Sequence, residues 1–135
     1  MNKFQSVRYK LAPQMREYDK LANIWKPFVM FFNQPNFKSQ VYNLDKFGLR
    51  FNDLSNLKNL DIEKNNSIFN EKIFSKSKET AALVGASIVF GTGATSDSFT
   101  TSSILSKKTN IHFFNLGCSA FSGFQEIILS LMSLF

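Results

Sequence analysis

Ser87 stands in a turn of small residues, Gly85-Ala86-Ser87, directly after the apolar run Ala81-Ala82-Leu83-Val84. A second apolar run, Ile111-His112-Phe113-Phe114, leads into Asn115-Leu116-Gly117. A serine hydroxyl at such a turn can attack an acyl carbon, but it is too weakly acidic to do so without a neighbouring base. The oxyanion that forms then needs N–H donors at about 2.7–3.1 Å. The turns offer a hydroxyl in Ser87 and main-chain N–H groups as candidate donors. Ligands of an open parallel sheet sit beyond the carboxyl ends of the strands, where both turns lie.

The base is harder to find. His112, the only histidine, falls inside the second apolar run, so its ring projects from a sheet face rather than from the strand end and reads as a half-buried structural group. Asp97 and Glu126 stand at expected helix starts, where a carboxylate is favoured by the dipole alone. Cys118, the single cysteine, follows Gly117 and reads as a small space-filling residue; it permits no internal disulfide. A competing motif, Gly91-Thr92-Gly93-Ala94-Thr95-Ser96, resembles a dinucleotide fingerprint after a strand Ser87–Phe90. It lacks the third glycine, and Asn115 stands where an acid should meet the ribose. No Gly-Lys-Ser/Thr follows these glycines, which excludes a Walker loop. No metal ligands cluster, and no cofactor is expected.

The elements that must position these residues follow from the pattern. Ala81–Gly85 is expected to be a strand, and Ser87 to open a loop or short helix through Phe90. Ser96 or Asp97 should cap a helix running to Lys107, whose basic last turn suits the dipole. A strand over Asn110–Asn115 and a helix from Gly123 complete the unit; Ser122-Gly123-Phe124-Gln125 has the capping-box spacing. Short connections with a helix between strands imply right-handed parallel crossovers.

Residues 1–78 differ in kind. Residues 1–80 hold 14 of the 16 Lys and Arg and 8 of the 10 Asp and Glu, so the whole net charge of +6 lies there, while residues 81–135 are neutral. The lysines are scattered singly, which is a solvated surface rather than a nucleic-acid stripe. Pro13 to Trp25 places Met15, Tyr18, Leu21, Ala22 and Trp25 at helical spacing. Pro27 and Pro35 end that pattern, and alternation from Phe37 to Phe51 predicts a hairpin of Lys38–Asn43 and Leu49–Asn52 turning at Asp45–Gly48. Arg50 is expected either to pair with an acid or to reach an anionic substrate. Asn52 to Ser77 reads as loop. The apolar run Phe28 to Phe32 is far short of the roughly 20 residues that span a bilayer, and the N-terminus lacks a signal-peptide core; a cytoplasmic location is expected.

Gly85-Ala86-Ser87 with Gly91, and Asn115-Leu116-Gly117, resemble the first (Gly-x-Ser-x-x-x-Gly) and second (Asn-x-Gly) blocks of the SGNH, or GDSL-like, hydrolases. Asn43-Leu44-Asp45-Lys46-Phe47-Gly48-Leu49-Arg50 is similar to an Asn-x-x-Gly-Phe-Arg element that often precedes that domain. The family usually has Asp where this chain has Ala86. The resemblance implies an α/β fold of the flavodoxin-like three-layer type, with a helical and hairpin extension over 1–78 and the N-terminal part of the hydrolase domain over 79–135. It implies Ser87 as nucleophile and Gly117 as an oxyanion donor through its N–H, in an esterase or deacylase acting on a small-molecule or glycan ester. The family's Asn block and its Asp-x-x-His block, which supplies base and orienting acid, are absent from these residues. The chain therefore reads as a truncated, inactive N-terminal fragment with an open sheet edge through which it self-associates. The alternatives are a non-catalytic binding module or gene remnant, and a Rossmann-like nucleotide-binding domain.

Overall fold

The computed structural model describes residues 3–27, 30–53, 67–69 and 79–132. It is a mixed α/β structure. The apolar run after Glu79 forms β3 (Glu79–Gly85), which pairs in parallel with β4 (Ile111–Gly117) in a register that sets Gly85 opposite Gly117. Between them lie α3 (Ser87–Phe90), a 3-10 turn (Asp97–Phe99) and α4 (Thr101–Lys108). After β4 comes α5 (Gly123–Met132). Half of the expected capping box is formed: Gln125 Oε1 accepts from the Ser122 N–H at 2.9 Å, while the Ser122 hydroxyl also turns to Gln125 Oε1 rather than to the Gln125 N–H. The helix expected to begin at Ser96 or Asp97 instead starts in two steps. Ser96 Oγ caps the 3-10 turn through Ser98 N–H, and Thr100 Oγ1 caps α4 through Ser103 N–H.

The N-terminal segment departs further from expectation. A helix, α1 (Lys3–Leu11), precedes Pro13. The helix expected over Pro13–Trp25 shrinks to one turn, α2 (Met15–Tyr18), and Asn23–Lys26 becomes β1, antiparallel to β2 (Met30–Asn33) with Trp25 opposite Phe31. The reason is local and tertiary together. Tyr18 is drawn into a buried ring cluster, and Ile24 and Trp25 are β-formers that pair across the hairpin.

The turn at Asp45–Gly48 is present: Gly48 N–H donates to Asp45 O at 3.0 Å, and Gly48 has φ +87°, with Asn33 O only 2.3 Å from where a Cβ would stand. The hairpin around it differs from the expected one. Lys38 bridges Asn43 within the single strand foreseen, and Leu44 bridges Arg50. Asp45 itself is fully buried, its carboxylate accepting from the N–H groups of Phe47, Leu49 and Ile68 at 2.8–3.0 Å. Burial pushes its pKa up, and these backbone donors oppose the rise. Most of the loop expected over Asn52–Ser77 lies outside the described residues.

The segment after the turn then covers β4. Arg50 bridges Asn115 antiparallel on the edge of β4 away from β3, and Asn52 Nδ2 donates to Phe113 O. One core draws on both ends of the chain: Phe32, Leu49 and Phe51 meet Phe114, Leu116, Cys118 and Phe121. Each such side chain contributes about 1.5–3 kcal/mol on burial. Among the described residues, the outer edge of β3 has no strand partner, and no helix is long and apolar enough to cross a membrane.

Candidate active site

Ser87 is the first residue of α3, two residues beyond the carboxyl end of β3. Its backbone carbonyl closes the short helix in a Schellman arrangement, accepting from Thr92 N–H at 2.9 Å while Gly91 N–H reaches Ile88 O at 3.1 Å. Gly91 sits at the left-handed position with φ +82°, which is why a glycine is needed there. Among the described residues the Ser87 hydroxyl has no hydrogen-bond partner and is not shut away from solvent. The next side chain, Ile88, is 86% exposed, so the lip beside the hydroxyl is apolar.

Gly117 meets this turn from the second strand. A Cβ at Gly117 would lie 2.2 Å from Phe90 N and 2.7 Å from Val89 C, so α3 can rest on the end of β4 only because that side chain is missing. Asn115 reinforces the contact by donating Nδ2 to Val89 O at 3.0 Å and to Ser102 Oγ at 3.2 Å. Its Oδ1 accepts from Gly117 N–H at 3.0 Å. The two sequence turns thus come together. The Gly117 N–H is engaged by Asn115, and an oxyanion would have to displace that bond.

The other residues singled out by sequence are placed elsewhere. His112 lies five residues before Gly117 on β4, roughly 16 Å along the strand at a rise of about 3.3 Å per residue. Its ring packs edge-on against Phe114 at 4.8 Å, and burial lowers its pKa. Cys118 is fully buried in the core, and burial raises its pKa, which suppresses the thiolate. Glu126 lies in the first turn of α5. The strand that a dinucleotide fingerprint needs ahead of Gly91 is the helix α3. Among the described residues, no group of three His, Cys, Asp or Glu side chains gathers to hold a metal.

Arg50 and Asp97 hold the largest surprise. Arg50 is 0% exposed, which removes it from reach of an anionic substrate and leaves the pairing expectation. Its Nε donates to Asp97 Oδ1 at 2.8 Å, its Nη1 to Tyr18 OH, Phe90 O and Gly91 O at 2.9–3.0 Å, and its Nη2 to Val41 O at 3.3 Å. The rings of Tyr18, Tyr42 and Phe90 surround the guanidinium at 5.4–5.7 Å. Asp97 also accepts from Asn43 through Nδ2 at 2.8 Å and the main-chain N–H at 3.4 Å. Burial pushes the Asp97 carboxyl up, and the Arg50 charge opposes it. Tyr18 OH donates to the carbonyls of Gly91 and Ala94 at 2.9 Å, and Gln14 Nε2 to that of Gly93 at 2.9 Å. The glycine loop behind Ser87 is therefore gripped by residues from positions 14 to 50. The only sequence signal for this was the Gly-Leu-Arg end of the element at 43–50. Comparison of the chain with protein-family models and with curated proteins gives no match.

Proposed function

We propose that this chain carries the nucleophile half of an SGNH-type acyl esterase or deacylase site on a flavodoxin-like sheet, with Ser87 as nucleophile and the N–H groups of Ser87 and Gly117 as oxyanion donors. One observation carries the reading. Ser87 opens a short helix at the carboxyl end of β3, and that helix rests directly on Gly117 at the matched end of β4. A half-buried hydroxyl without a partner among the described residues, beside two converging main-chain turns, suits acyl transfer. The exposed Ile88 suits an ester whose acyl or alcohol part is partly apolar. An acylated carbohydrate remains the substrate class implied by the resemblance. No imidazole or carboxylate bonds Ser87 among the described residues, so the base must come from outside them.

The test supplies that base. The chain is treated with a fluorophosphonate, with and without added imidazole, and labelled serines are mapped by mass. Preferential, imidazole-accelerated modification of Ser87, abolished in Ser87→Ala, is the expected result. Labelling spread evenly over the serines would overturn the reading. Without imidazole, turnover of an activated acetyl ester should not exceed background, since loss of a base costs several orders of magnitude. A second reading, a non-catalytic module of the same fold, is favoured by the bond from Gly117 N–H to Asn115. It gains if Ser87 stays unlabelled while Gly117 N–H remains bonded.

A further inference from the structure

The side chain of Arg50 touches the turn that bears Ser87 without coming near solvent, and it does so at the carbonyls of Phe90 and Gly91. Those two residues end α3, where main-chain carbonyls lack intrahelical partners and must be satisfied from outside. A neutral donor would suffice for satisfaction. The chain instead places there a guanidinium fixed at Nε by Asp97, at Nη2 by Val41 O and surrounded by three rings. A charged donor held on every side has little freedom, so it fixes the position of whatever it binds.

The consequence passes to both candidate donors. Gly91, bonded by Arg50 through its carbonyl, donates its own N–H to Ser87 O at 3.0 Å, so the guanidinium sets the pitch of the single turn that opens at Ser87. Phe90, bonded in the same way, presents its N–H face to Gly117 so closely that only a missing Cβ admits it. A shift of a few tenths of an ångström in the Phe90 carbonyl must therefore be taken up at Gly117 or at Ser87. Arg50 also cannot drift, because its own main chain is bridged to Asn115, two residues before Gly117.

We infer that Arg50 is a positioning residue for the site: it sets the spacing between the Ser87 and Gly117 N–H groups from behind, through Phe90 and Gly91, and Asp97 holds it in place. This rests on the reading of Ser87 and Gly117 as one site. Lysine cannot replace it, since one ammonium has three donors and no fork to serve Asp97 and two carbonyls together.

The experiment compares the full chain with Arg50→Lys, Asp97→Asn and, as a destabilising control on α5, Leu129→Ala, which trims a side chain packed against the core away from Arg50. Amide proton–nitrogen spectra give the positions of the Ser87, Gly91 and Gly117 signals, and fluorophosphonate labelling with imidazole gives the Ser87 rate. Arg50→Lys should displace those three signals and slow labelling about tenfold, whereas Leu129→Ala should leave both unchanged. If Arg50→Lys does not fold, Asp97→Asn retains the guanidinium and a neutral acceptor, and should produce a smaller displacement of the same three signals. Methylguanidinium added to Arg50→Ala should return them toward the wild-type positions. The inference is overturned if the Ser87 and Gly117 amides stay in place in a folded Arg50→Lys or Asp97→Asn chain, or if Leu129→Ala moves them equally. Should wild-type Ser87 fail to label at all, the acyl-transfer reading falls while the amide signals still judge the role of Arg50.

Discussion

The two sides of α3 are built on opposite terms. Behind it, Arg50 and Asp97 sit in a closed environment in which the guanidinium has donors spent on a carboxylate, a phenol and three carbonyls. In front of it, Ser87 offers a hydroxyl with no partner among the described residues and an exposed Ile88 beside it. Satisfaction of every polar group fixes a structure, and an unspent polar group at an apolar lip is available for chemistry. The contrast teaches that the charged residues here are structural, while the candidate reactive group is an uncharged hydroxyl whose activation must be supplied.

Substitutions can break that contrast, and the largest effect should come from behind. Asp97→Ala leaves a buried guanidinium without its counter-ion, and loss of one partner of a buried pair costs about 3–5 kcal/mol; denaturant unfolding should show it as a strongly lowered midpoint with little change in slope. If the free energy of unfolding falls by less than about a fifth of that, the ion pair is not what holds the loop. Gly117→Ala should cost about 1–3 kcal/mol, as overpacking against backbone atoms does, and should shift the amide signals of Val89 and Phe90. Gly91→Ala forces a side chain into a left-handed position against Thr100 and the Arg50 guanidinium, and a cost of about 1–2 kcal/mol is expected by thermal unfolding.

Much of the front was legible in sequence, and most of the back was not. Both strands could be read because each is a short apolar run stopped by small residues, a local signal, although the second was expected to end at Asn115 and runs on to Gly117. The turn at Gly48 was legible for the same reason. Arg50 was read as pairing with an acid or reaching an anionic substrate, and sequence could not choose, because its acid lies 47 positions away and two of its ring partners, Tyr18 and Phe90, are 32 and 40 positions distant. The helix expected over Pro13–Trp25 failed on the same ground: Met15, Tyr18, Leu21 and Trp25 have helical spacing, but Tyr18 is claimed by Arg50 and Trp25 by a hairpin. Asp97 was placed at the start of a helix to Lys107; it opens a separate 3-10 turn instead, and its carboxylate serves a distant cation rather than the local dipole.

The smaller predictions sharpen the front. Ser87→Ala removes a hydroxyl that bonds nothing described, so stability should change by no more than about 0.5 kcal/mol while labelling is lost. His112, whose pKa is lowered by burial, binds a proton more readily in the unfolded chain. Its contribution to stability is therefore full above the ordinary histidine range and falls as the pH drops below it. His112→Gln should flatten that part of the stability profile without altering Ser87 labelling. A loss of labelling in His112→Gln would place the imidazole in the reaction after all.

The spacing of the Arg50 partners also bears on how the chain is made. Synthesis delivers Tyr18, Tyr42 and Arg50 well before Asp97, Phe90 and the strand that Arg50 bridges at Asn115. Until then the guanidinium has only water to neutralise it, and the rings that will enclose it are exposed to whatever else is present. The segment that carries Tyr18, Tyr42 and Arg50 consequently emerges from the ribosome as an unfinished half that waits for the growing chain, and misassembly is open to it until Asp97 and Asn115 have also left the exit tunnel.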